Sequence, residues 1–162
     1  MNLREEKHWS YGAGSGLIDA KGQRVFQASA LVQTDKTADS MREMLKELRD
    51  LTGARQPTEK EIRFAKDTLV RSLPGDNETS SQVASSYADI LTYGLPDTYL
   101  NDFVGEVEAL TPQQLQAAGT ELVHPEGLTW IVVGDLATVE TNVRALDLGE
   151  VKVLDTDGHI LR

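Results

Sequence analysis

Cysteine is absent from the chain, which excludes a disulfide framework, a thiol nucleophile and any cysteine-ligated metal. That absence fits a cytoplasmic or a periplasmic setting equally. Aromatic residues make up only 6% of 162 positions against 40% hydrophobic residues, so a core must be aliphatic and rich in alanine. The length suits one domain. Positive charge is also short: 16 Lys and Arg face 26 Asp and Glu, a formal net charge of −10. Phosphate contacts and adsorption to anionic lipid both need clustered basic side chains. No nucleic-acid partner and no membrane partner is therefore expected. No apolar run approaches the ~18 residues of a spanning helix. The opening Met1-Asn2-Leu3-Arg4-Glu5-Glu6 lacks the apolar stretch of a signal peptide, and none is expected.

Other chemistry is missing too. The three histidines are His8, His124 and His159, and none lies within five residues of another. A zinc-binding pair one helical turn apart is thus not encoded. Gly12-Ala13-Gly14-Ser15-Gly16 lacks the G-x-G-x-x-G spacing and leads into a turn, not a helix, so it is no phosphate cradle. Ser10 and Ser15 sit in no G-x-S-x-G context. No catalytic residue and no metal ligand is assigned to this chain.

What is present begins at residue 2. Asn2 to Gly16 opens with the charged run Arg4-Glu5-Glu6-Lys7, passes Trp9 and Tyr11, and ends with glycine at every second position. Trp9, Tyr11 and Ala13 alternate with small or polar residues, the period of a strand with one covered face. Glycines in a strand mark a bulge or a close backbone approach. A peptide lying along this edge would find Arg4 and Tyr11 as polar groups able to hold its main chain. Taken alone, the charged run also reads as a solvated turn and the aromatics as core.

Asp19-Ala20-Lys21-Gly22 reads as a turn, and Arg24–Gln33 returns as a second strand of an antiparallel hairpin. Asp35 can cap a helix with Met41, Met44, Leu45, Leu48 and Leu51 inward. Thr58-Glu59-Lys60-Glu61 is a capping box for a helix with Ile62, Ala65, Leu69 and Leu73 inward, ended by Pro74-Gly75. Thr79-Ser80-Ser81-Gln82 starts a third helix bearing Val83, Tyr87, Ile90 and Leu91, and Tyr99, Phe103, Val107 and Leu110 line a fourth. Thr111-Pro112-Gln113-Gln114 starts a fifth, with proline at its first position. Thr129-Trp130-Ile131-Val132-Val133 reads as a buried central strand. A helix over 138–146, a strand over 151–154 and a turn at Asp155-Thr156-Asp157-Gly158 complete the chain. The sum is an α+β domain, an antiparallel sheet covered by helices.

Leu3-Arg4-Glu5-Glu6-Lys7 followed by Tyr11-Gly12-Ala13 resembles the arginine–tyrosine motif of the pitrilysin/insulinase family of zinc metallopeptidases. Arg4 and Tyr11 have the six-residue separation of that motif; position 8 departs from it, carrying His8 where the family usually has glycine. Three further strings agree in order: Pro57 to Lys66 as Pro-Thr-x-x-Glu-Ile-x-x-Ala-Lys, Leu110-Thr111-Pro112, and Val132-Val133-Gly134-Asp135. Together they cover nearly the whole chain.

The resemblance implies a single partial domain over 1–162, the later portion of the family's C-terminal, non-catalytic domain, truncated at its N-terminal side. The fold implied is that of the metallopeptidases and processing peptidases (LuxS/MPP-like). Zinc would sit on an H-x-x-E-H helix of a catalytic partner domain or subunit, and Arg4 and Tyr11 would hold a peptide substrate there. By itself the chain is not expected to be active. Resemblance to the bacterial two-unit members implies a periplasmic parent. The alternatives are a structural scaffold and a peptide-binding module with no peptidase role.

Overall fold

The computed structural model describes residues 2–53 and 55–162. A single π-helical turn over Asn2–Glu6 leads into β1 (Ser10–Leu17), which pairs with β2 (Phe26–Val32) in a two-stranded antiparallel hairpin. Among the described residues six α-helices follow: α1 (Thr37–Thr52), α2 (Glu59–Asp76), α3 (Ser80–Tyr93), α4 (Tyr99–Ala109), α5 (Pro112–Leu122) and α6 (Leu136–Arg144). This is an α+β architecture.

The helix starts follow local chemistry. Thr58, Thr79 and Thr111 each accept a hydrogen bond from the backbone N–H three residues on, while Glu61, Gln82 and Gln114 reach back to the cap N–H. Two otherwise orphaned donors are satisfied at each helix start. Pro112 occupies the first turn of α5, where its missing N–H costs nothing. Gly94 ends α3 at φ +65°, a left-handed conformation suited to glycine. α2 runs past the expected stop, with Pro74 inside its last turn and Asn77 closing it. Asp35 is not a cap: it lies in a 3-10 turn over Thr34–Lys36 and pairs with Lys36 at 3.4 Å. α6 starts two residues earlier than its periodicity suggests, because the Asp135 carboxylate accepts from the N–H of Ala137 and from the Thr138 hydroxyl.

The chain divides into two compact units. The first comprises Met1–Ser15, Ala28–Glu47 and Gly127–Arg162. Among its described residues Leu3, Met41, Leu45, Val139 and Val153 are buried, and the Ser40 hydroxyl is buried without a hydrogen-bond partner among them. α6 packs against the Thr34–Lys36 turn. The Glu140 carboxylate accepts from Arg144 and from Arg162, tying the tail to α6.

The second unit comprises Gly16–Gln27 and Leu48–Glu126. Ile90, Val107 and Val123 are buried there, and α2 packs on α4. The covered stripe of α2 is Ile62, Lys66, Val70 and Leu73, so Ala65 and Leu69 are outward, against the sequence expectation. Lys66 enters the stripe because its ammonium donates to the carbonyls of Glu108 and Leu110 at the end of α4, at 2.8 and 2.6 Å. Tyr87 and Leu91 of α3 are likewise exposed, while Ile90 is buried.

Two strand expectations fail. Thr129–Val133 forms no regular secondary structure and joins no ladder among the described residues, and Ile131 and Val133 are 86% and 95% exposed. An apolar run becomes a central strand only when strands flank it. The expected strand over 151–154 shrinks to one antiparallel bridge, Leu154 with Ile160, around the Asp155–Gly158 turn. Here the turn chemistry holds, with Gly158 at φ +86°.

Candidate functional site

Arg4 lies in the π-helical turn and Tyr11 is the second residue of β1. The main chain between them doubles back, since the Trp9 N–H donates to the Leu3 carbonyl at 3.0 Å. That bond brings the start of β1 onto the turn carrying Arg4. The Arg4 guanidinium sits 3.4 Å from the Glu5 carboxylate and is more than half exposed. Tyr11 is 96% exposed. Among the described residues no hydrogen bond or ion pair joins the two side chains. Both present their polar groups to solvent.

The expected covered face of β1 is not found. Residues 11–16 are exposed, and a Cβ placed on Gly12, Gly14 or Gly16 would meet nothing within 4 Å. Among the described residues no neighbouring backbone presses on the glycines, so β1 presents a bare lane. The Ser10 hydroxyl accepts the Gly12 N–H and lies 2.7 Å from the Leu31 carbonyl on β2, fixing the strand's start. On β2 the inner face of Phe26, Ala28, Ala30 and Val32 is half-buried, whereas Leu31 is 86% exposed.

His8 accounts for the departure from the motif. It holds φ +55°, the left-handed region. A residue with a Cβ pays roughly 1–2 kcal/mol there, and glycine pays little. A glycine in the motif therefore matches the backbone this turn adopts, and His8 adopts it under strain. Two residues far along the chain brace the strained turn. Gln33 donates its side-chain N–H to the His8 carbonyl at 3.2 Å and its main-chain N–H to the Trp9 carbonyl at 2.9 Å. Glu43 of α1 lies 3.7 Å from the Lys7 ammonium, which also sits 5.5 Å over the Trp9 ring. Neither Gln33 nor Glu43 stands out in the sequence, because their partners lie 25 and 36 positions away.

For metal, the grouping among the described residues is Asp155, Asp157 and His159, with ligand atoms within 4.8 Å of one another. These side chains close the tail turn: the Asp155 carboxylate accepts the N–H groups of Asp157 and His159. The His159 backbone bond holds the Asp155 carboxyl below its ordinary range. His8 and His124 lie outside this turn, and the donor set does not match two histidines one turn apart on a helix.

Residues 1–69, including Arg4, His8, Tyr11 and Gln33, match the sequence model of a family described as the peptidase M16 inactive domain. The likeness is to the non-catalytic domain of the M16 metallopeptidases. It agrees with the pitrilysin/insulinase resemblance read from the motifs. A crystal structure of the peptidase M16 inactive domain from Pseudomonas fluorescens matches with a TM-score of 0.66 at 23% identity, over 76% of this chain. The chain spans 29% of the length of that solved structure. The structural match extends the M16 inactive-domain fold beyond the 69 residues of the sequence match. No curated protein matches the chain.

Proposed function

We propose that this chain is the substrate-holding portion of an M16-type zinc metalloendopeptidase, a part of its C-terminal domain spanning 1–162. In this reading Arg4 and Tyr11 position a peptide in an active site whose zinc and H-x-x-E-H helix come from a partner domain or subunit. The observation that carries it is the pair itself: an exposed guanidinium and an exposed phenol, joined by a braced turn at the head of an uncovered strand. The Arg4 guanidinium donates to main-chain carbonyls or to the oxyanion that grows during attack, and Tyr11 donates its O–H to the same region. Donors aimed at charge that develops in the transition state act on kcat.

Arg4→Ala and Tyr11→Phe are therefore expected to lower kcat by ~10²-fold each in the intact protease. Their melting should not change, since neither side chain is buried. Wild-type turnover in both variants refutes the assignment and leaves a scaffold or a peptide-binding module. Complementation separates these further, because only the substrate-holding reading yields peptidase activity when an H-x-x-E-H partner is supplied.

A further inference from the structure

Among the described residues no hydrogen bond or ion pair joins Arg4 to Tyr11 to fix the pair's geometry. The relative placement of the two side chains is set by residues 7–9, and these include a non-glycine residue at φ +55°. Such a conformation persists only where surrounding bonds over-determine it. Gln33, the residue after β2, supplies two of those bonds, one from its side chain and one from its main chain, to consecutive carbonyls at His8 and Trp9. The Gln33 main-chain N–H extends the ladder, and any residue except proline could make that bond. The side-chain amide is specific, and it caps the strained carbonyl itself.

We propose that Gln33 is a positioning residue for the Arg4–Tyr11 pair, acting by holding His8 in its left-handed conformation. The proposal rests on the substrate-holding reading above. It requires a particular pattern of coupling. Removing the Gln33 amide frees the turn while His8 is present. Glycine at position 8 adopts the same φ without strain and makes the amide dispensable.

The test uses the intact polypeptide that carries this sequence and a fluorogenic peptide, with Gln33→Met, His8→Gly, the double variant and Arg4→Ala. Gln33→Met keeps the side-chain length and removes the donor. Its kcat is expected to fall about fivefold at unchanged KM, the scale of one neutral hydrogen bond. The double variant should recover to within about twofold of wild type, a readout that general loss of packing would not give. Hydrogen exchange at the Trp9 amide, measured on the same samples, should quicken about fivefold in Gln33→Met and return in the double variant. Unchanged Trp9 exchange in Gln33→Met overturns the clamp whatever the activity. Impaired Arg4→Ala beside normal Gln33→Met, or impaired Gln33→Met without recovery in the double variant, overturns the positioning role. Wild-type turnover in Arg4→Ala, or no peptidase activity in any sample, removes the substrate-holding reading and the positioning role with it.

Discussion

Lys66→Met tests how the second unit is held together. The Lys66 ammonium donates to the carbonyls of Glu108 and Leu110, at 2.8 and 2.6 Å, where α4 ends. Carbonyls at a helix C-terminus have no intrahelical partner and carry the negative end of the helix dipole. A hydrogen bond from a charged donor contributes about 1.5–3 kcal/mol. Glu108 and Leu110 are exposed, so water can replace part of what the ammonium gives. Methionine keeps the aliphatic stem in the covered stripe of α2. The expected loss is then about 2 kcal/mol, near the low end of that range. For a chain of this size such a loss lowers Tm by roughly 4–8 °C. Thermal scans by far-UV circular dichroism on wild type, Lys66→Met and Lys66→Arg provide the measurement, with arginine expected to recover part of the loss because it keeps charge and donors. A Tm for Lys66→Met within about 1 °C of wild type would refute the claim that Lys66 couples α2 to α4.

Thr79→Ala and Thr111→Ala each remove one capping box and should each cost about 1 kcal/mol, or roughly 2–4 °C in Tm; unchanged melting would show these caps idle. Glu61 carries the acid dependence of the α2 cap. The backbone N–H and hydroxyl of Thr58, then Arg55, hold its carboxyl below its ordinary value of 4.5. A depressed folded value means stability present above the unfolded pKa and lost as pH falls through the folded one, so wild type should lose Tm below about pH 4.5 more steeply than Glu61→Gln, which keeps the cap as Gln82 and Gln114 do. Parallel slopes would contradict this. The double variant Ile131→Ser, Val133→Ser removes side chains that are 86% and 95% exposed; its Tm should stay within about 1 °C. A loss of several degrees would mean those side chains are covered in solution.

Elements closed by short-range bonds were legible in the residues. The capping boxes at Thr58, Thr79 and Thr111 use partners three positions away, so spelling and structure coincide. The hairpin is local too, and its loop is closed by the Asp19–Arg24 ion pair five positions apart. Composition and histidine spacing set aside disulfide and thiol chemistry and a helical zinc pair. The motif strings pointed to the M16-type inactive domain; the pairing of Arg4 with Tyr11 came from that resemblance.

Tertiary structure decided whatever depends on a distant partner. Thr129–Val133 has the composition of a central strand, yet strand pairing is a property of two segments, and the described residues supply no second one. The stripe of α2 is placed by α4, whose carbonyls draw Lys66 inward and leave Leu69 outside. His8 differs from the family's glycine by one letter, but only the backbone shows that its φ is +55° and that Gln33 bonds its carbonyl. Short-range chemistry is written into neighbouring letters. Contacts between residues tens of positions apart exist only once the chain has closed.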